Sequence, residues 1–130
     1  MREEVINCWK QAQEDFITAK VNIETGRYYA SVFFSQQCAE KALKACYIAT
    51  LKKLPQTHNL VDMSKDLEAD EKILSSAREL NPEYLVTRYV DAANGIPAEM
   101  YDEKSATMHL KCAEVILQWI QGLLKLEKKS

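Results

Sequence analysis

The sequence predicts an all-α fold, an up-and-down antiparallel bundle of four main helices in which the third is segmented. Three observations carry that expectation. The 130 residues include only three Gly and three Pro, too little punctuation for the many turns of a β-sandwich. Residues 28–49 contain neither, and their apolar side chains fall on more than one side of a 3.6-residue period, as in a helix wrapped by partners. Two further stretches, near each end of the chain, repeat a 4-3-4-3-4 spacing of apolar residues that builds one helical stripe.

The first helix is expected from Glu3 to Thr25, on the stripe Val5, Trp9, Ala12, Phe16, Ala19 and Ile23, with Gly26 as the residue just past its end. Only Arg27 then separates it from the central helix. So short a link makes the two antiparallel neighbours. In the central helix, small residues (Ala30, Cys38, Ala42, Ala45, Cys46, Ala49) allow close approach, while Phe33, Phe34, Leu43 and Ile48 supply bulk. It fades near Lys52-Lys53, and Pro55 bars its extension. Thr57 or Asn59 then serves as N-cap for a third helix from Leu60, with Leu60, Met63 and Leu67 on one face. Glu68-Ala69-Asp70-Glu71 breaks it, a second run spans Ile73–Leu80, and Asn81-Pro82 has the form of an N-cap followed by Pro at the first helical position. Another turn or two, Glu83–Val90, leads to the main loop, Asp91–Tyr101, marked by Asn94-Gly95 and Pro97.

The last helix is expected from Asp102, its N-cap, to about Lys125. Its main stripe is Ala106, Leu110, Ala113, Leu117, Ile120 and Leu124, and beside it runs a second one, Met108, Cys112, Val115, Trp119 and Leu123. That apolar sector is wider than a single bundle seam requires. It is read as a dimer interface, against the alternative that it covers the irregular third segment. No repeat, low-complexity run or linker divides the chain, so residues 1–130 are read as one domain.

Net charge is -2 and the pI about 5.7, which removes the global positive field of a nucleic-acid coat protein and makes nucleic acid an unexpected partner. The four cysteines, Cys8, Cys38, Cys46 and Cys112, lack C-x-x-C spacing and are read as reduced thiols. The N-terminus carries no apolar signal segment, and nothing approaches a membrane span; a soluble cytoplasmic protein is expected.

Familiar catalytic constellations are missing: there is no glycine-rich phosphate loop, no H-E-x-x-H, no E-x-x-H pair and no nucleophile elbow. No catalytic residue, metal ligand or cofactor is therefore assigned. Lys41, with Glu40 and Lys44, interrupts the apolar surface of the central helix, as a solvated stripe or as a binding site. His58 stands at a loop-to-helix junction, where local capping competes with an anion at free backbone N–H groups. Arg88 has the fork to hold a phosphate, and Tyr89 the ring to stack a base, with Asp91 two residues on. Lys41, His58, Arg88, Tyr89 and Asp91 are the polar residues that packing explains least, and they are expected to share a ligand pocket.

Trp9, Gly26-Arg27-Tyr28-Tyr29, Gln36-Gln37-Cys38-Ala39-Glu40-Lys41-Ala42-Leu43-Lys44, Thr57-His58-Asn59-Leu60, Arg88-Tyr89-Val90-Asp91 and an Ala-rich last helix ending near Trp119 occur in this order. The order resembles the HEPN domain of prokaryotes and higher eukaryotes. That resemblance implies a helical bundle that dimerises, is often encoded beside a minimal nucleotidyltransferase, and has been proposed to bind nucleotides. Many members of the wider group are RNA-cutting toxins that use an R-x(4-6)-H motif. Here the chain departs: four to six residues after Arg88 the histidine would fall at Ala93, Asn94 or Gly95, and none can serve as a general base near neutral pH. Arg2, Arg27 and Arg78 also lack a histidine at that distance. The expected function is a non-catalytic, toxin–antitoxin-like binding subunit, a homodimer that partners a minimal nucleotidyltransferase and binds nucleotide. The alternatives are a ribonuclease toxin with a degenerate or displaced site, for instance one recruiting His58, and a plain dimeric scaffold.

Overall fold

The computed structural model describes residues 2–129, with side chains to residue 125. Its elements are α1 (Arg2–Glu24), α2 (Tyr28–Leu51), α3 (Leu60–Asp66), α4 (Glu71–Leu80), two four-residue helices α5 (Glu83–Val86) and α6 (Val90–Ala93), a 3-10 turn at Pro97–Glu99, and α7 (Glu103–Lys129). Among the described residues there is no strand. The all-α expectation holds, and the bounds of the two longest predicted helices near the N-terminus are met within one or two residues.

Helix α2 is the axis of the fold, packed most heavily on α1 and next on α7. Its buried residues, among them Val32, Ala39, Leu43, Cys46 and Ile48, surround it rather than form one stripe, as expected for a helix with partners on several sides. Ala12 of α1, Ala113, Ile116 and Ile120 of α7, and Ile73, Ala77 and Leu80 of α4 complete one continuous core. On α7 the seam differs from the predicted 4-3-4 stripe. Ala106, His109, Ala113, Ile116 and Ile120 are buried, and Leu110, Leu117 and Leu124 flank them half-exposed.

Local chemistry sets the joints. Gly26 takes φ +76°; the N–H of Arg27 reaches the carbonyl of Asn22 at 2.7 Å, closing α1 with a Schellman turn that glycine adopts without steric cost. After α2 the chain doubles back along that helix. Asp66, at the end of α3, accepts a 3.1 Å hydrogen bond from the Tyr47 hydroxyl, while the Leu60 N–H at its start donates to Asn81 Oδ1 at 2.9 Å. The segmented third helix is thus two short helices folded against each other, with α4 as the true third member of the bundle. Asn81 departs from its predicted role: its backbone is helical and continues from α4, and its side chain caps α3 rather than α5. The break at 68–71 is a second Schellman turn, with Glu68 at φ +60°, followed by the Asp70 carboxylate capping the N–H of Ile73 at 3.1 Å.

Candidate functional site

The Q-Q-C-A-E-K-A-L-K element of α2 proves to be a continuous polar ladder along one side of the helix. Gln36 is 1% exposed, so both ends of its amide need partners. It receives a 2.7 Å hydrogen bond from Gln37 Nε2 and donates to Glu40 Oε1 at 3.3 Å. Lys41 Nζ donates to Gln37 Oε1 at 3.1 Å and to Asp15 Oδ2 at 2.9 Å. Asp15, 3% exposed on α1, also accepts from Gln11 Nε2 at 2.9 Å. The sequence reading missed Asp15, although its place three residues after Ala12 and four before Ala19, both fully buried, puts it on the inward face of α1.

His58 is held beside this ladder by its neighbours. Thr57 Oγ1 accepts from the Asn59 N–H at 3.0 Å, and Asn59 Oδ1 accepts from the N–H groups of Val61 and Asp62 at 2.9 and 3.1 Å. Leu60 is fully buried. These ties turn the His58 ring outward, its side chain 85% exposed, with Nδ1 3.4 Å from Glu40 Oε2. Capping prevails over anion binding at this junction: the leading N–H groups of α3 are satisfied by Asn59 and Asn81, so no anion cradle exists at that helix start.

Lys41, Lys44 and His58 line one open concavity of about 430 Å³ between α1, α2 and the returning loop, with Asn7, Gln11 and Thr57 adding neutral polar groups. Glu40 borders it too, its carboxylate engaged by Gln36 and His58. Lys41 is braced by Asp15 and Gln37, which leaves Lys44 as the lysine able to turn toward a ligand, with the exposed His58 imidazole on the same border. Cys8 also borders this space, but burial pushes its thiol up despite the nearby Lys44, so it is a poor nucleophile near neutral pH.

Arg88 and Tyr89 form a second group. The Arg88 guanidinium carbon lies 4.9 Å from the centroid of Tyr84, 5.3 Å from Phe33 and 6.0 Å from Tyr89, a cation held over three aromatic faces. Its anchor Phe33 precedes Glu40 by seven residues, two turns along the same side of α2, or about 10 Å. Asp91 is exposed in the first turn of α6. Four of the five residues expected in one pocket therefore stand in two clusters, Lys41 and His58 in the concavity and Arg88 and Tyr89 on the aromatic platform, while Asp91 belongs to neither.

His109, the other histidine, is 6% exposed. Its Nδ1 lies 2.7 Å from the Ser105 carbonyl, which only accepts, so Nδ1 carries a proton and donates. Nε2 faces Glu83 Oε1 at 3.7 Å, and the Tyr101 hydroxyl donates to the other oxygen of Glu83. Burial and that carboxylate raise the Tyr101 phenol above its ordinary value. This buried cluster, not singled out in the sequence, ties α5 and the loop to α7. Among the described residues, no group of His, Cys, Asp and Glu is arranged to hold a metal ion, and no helix is long and apolar enough to cross a membrane.

On the second stripe of α7, Cys112, Val115, Trp119 and Leu123 pack half-buried against the core of their own chain, and only Met108, 45% exposed, points clear of it. Exposed apolar residues concentrate earlier, at Leu85, Tyr89, Val90, Ile96 and Met100.

Comparison with known proteins agrees with this architecture. The family model described as HEPN domain matches residues 6–123. A Methanocaldococcus jannaschii protein named "Putative toxin MJ1304" is 32% identical, with the match covering 89% of this chain and 85% of that protein. Among solved structures, TT1696 from Thermus thermophilus superposes with a TM-score of 0.85 at 27% identity, covering 92% of this chain and 97% of that one. ST0689, described as an archaeal HEPN homologue, gives 0.80 at 33% identity, over 91% and 95%. A HEPN domain protein of Thermotoga maritima, TM0613, gives 0.73 at 28% identity, over 92% and 98%.

Proposed function

This chain belongs to the HEPN domain family, and from that membership we propose that it is a non-catalytic binding subunit that holds the phosphates of a nucleotide. The observation that carries the proposal is the convergence of Lys44 and His58, with Lys41 braced behind them, on one open concavity that also presents neutral hydrogen-bonding groups. The Lys41 and Lys44 ammonium groups on one concave surface attract a phosphate chain, and His58, Gln11, Asn7 and Thr57 offer hydrogen-bonding groups for its remaining oxygens. Acid–base machinery for cutting RNA has no comparable support. His109 is buried and committed to Ser105 and Glu83, and Arg88 is stacked on rings, with no histidine at the spacing used for cleavage.

In this reading the subunit is a cytoplasmic homodimer that partners a minimal nucleotidyltransferase, the arrangement implied by its family likeness. The exposed apolar residues between Leu85 and Met100, together with Met108, favour that end of the bundle for self-association. Calorimetric titration of ATP and GTP tests the nucleotide site. Binding is expected in the wild type and a loss of at least tenfold in affinity for Lys44→Ala; absence of binding, or equal affinity in the variant, contradicts the reading. A second reading, a ribonuclease toxin with a displaced site, is favoured by the toxin name of the Methanocaldococcus jannaschii relative. It requires His58 as the base, and cleavage lost in His58→Ala separates it from the first.

A further inference from the structure

A second depression lies where the start of α1 and the ends of α2 and α7 meet. It is an open groove of about 800 Å³. Its floor is apolar: Ile6 and Trp9 come from α1, Ile48 from α2 and Leu124 from α7. Its border is uniformly cationic, formed by Arg2, Lys10, Lys52 and Lys125, with the neutral amides of Gln13 and Gln121 between them. Among the described residues that line it there is no Asp or Glu. The whole chain holds 19 acidic against 17 basic residues, so this one-sided border is a local segregation of charge and not a reflection of composition. Ile6 remains 43% exposed there.

We propose that this groove docks an acidic amphipathic helix of a partner protein. The lining residues of α1 run from Arg2 to Gln13 at helical spacing, a trough of about 16 Å, which matches three turns of a bound helix. Leucine- or isoleucine-type side chains at i, i+3, i+4 and i+7 seat on the floor, and flanking carboxylates meet Arg2, Lys10 and Lys125. A floor of aliphatic side chains around a single ring, Trp9, suits a hydrophobic helix face better than stacked bases, which need a series of aromatic platforms. The site is separate from the Lys44–His58 concavity and does not depend on it.

The test uses the full-length protein and fluorescence anisotropy with four probes: a 16-residue Leu/Glu amphipathic peptide, its Leu/Lys counterpart, a single-stranded RNA 16-mer, and vesicles containing a quarter phosphatidylserine. The acidic peptide is expected to bind tightest, with affinity that falls as salt rises. Lys10→Glu/Lys125→Glu, on exposed positions, is expected to weaken it at least tenfold, and Ile6→Asp to do the same at any salt concentration, while Lys104→Glu, near the other end of the bundle, leaves it unchanged; circular dichroism confirms that each variant is folded. Equal binding of the acidic and basic peptides, no loss in the charge-reversed variant, or tighter binding of RNA or vesicles overturns the proposal.

Discussion

Lys41 Nζ stands 2.9 Å from Asp15 Oδ2, a contact that joins the middle of α2 to a carboxylate whose side chain is 4% exposed on α1. Removing the ammonium strands a buried charge, since among the described residues Gln11 is then the hydrogen-bond partner left to it. Lys41→Met is expected to destabilise the fold by about 3 kcal/mol. Adding Asp15→Asn, which removes the charge and keeps an acceptor for Gln11, should recover most of that loss. Urea unfolding of the two singles and the double checks this, and additive losses would show that the pair is not coupled.

Glu68 occupies the left-handed region at φ +60° where the Schellman turn closes α3, its N–H reaching the Lys65 carbonyl at 2.9 Å and that of Ala69 the Ser64 carbonyl at 3.0 Å. A side chain there costs energy that glycine does not incur. Glu68→Gly is expected to raise stability by roughly 0.5–1 kcal/mol, read as a higher urea midpoint at constant slope. A lower midpoint would mean that the carboxylate contributes more than the backbone strain removes.

Cys38 is fully buried. Burial, reinforced by Asp15 and opposed by Lys41, pushes its thiol from 9.0 up to about 12. A raised acid pKa holds the proton on the folded protein after the unfolded chain has lost it. The corresponding stability is complete below pH 9 and declines as pH rises toward 12, by about 1.4 kcal/mol per pH unit. Cys38→Ala should therefore show a shallower alkaline loss of stability than the wild type between these limits. Parallel profiles would mean that the thiol ionises in the folded protein.

Two residues of the predicted interface stripe on α7 differ in exposure. Trp119 packs half-buried against the core of its own chain, while Met108 projects outward, exposed like Val90. Sedimentation at micromolar concentration should show a wild-type dimer, a folded monomer for Val90→Glu/Met108→Glu, and substantial unfolding for Trp119→Glu. A monomeric wild type removes the dimer, and an intact dimer in the double variant moves its interface elsewhere.

Helix periodicity, Gly26 and Asn59 made most of the architecture legible, because each acts over only a few residues. What the sequence left hidden are relationships across elements. Asn81 looks like the cap of the helix that follows it, but its carbonyl oxygen serves a helix that starts 21 residues earlier. Glu83, Tyr101 and His109 meet only because the loop folds over α7. Four residues of the second apolar stripe of α7, Cys112, Val115, Trp119 and Leu123, pack within the chain against its core. For the candidate site, the α2 motif drew notice to Lys41, but only the returning loop reveals that Lys41 and His58 share a concavity while Arg88 stacks on Phe33 two turns away.

We propose that this HEPN protein binds without cutting. General acid–base assistance contributes roughly 10²- to 10⁴-fold per group to RNA cleavage, and no histidine stands four to six residues after Arg88 to provide it. The most direct measurement is a metal-free incubation of the purified protein with end-labelled structured and unstructured RNA, alongside His58→Ala and Arg88→Ala variants confirmed as folded. Intact RNA in all three reactions is the predicted result. Cleavage by the wild type that disappears in both variants would contradict the account and make the protein a ribonuclease.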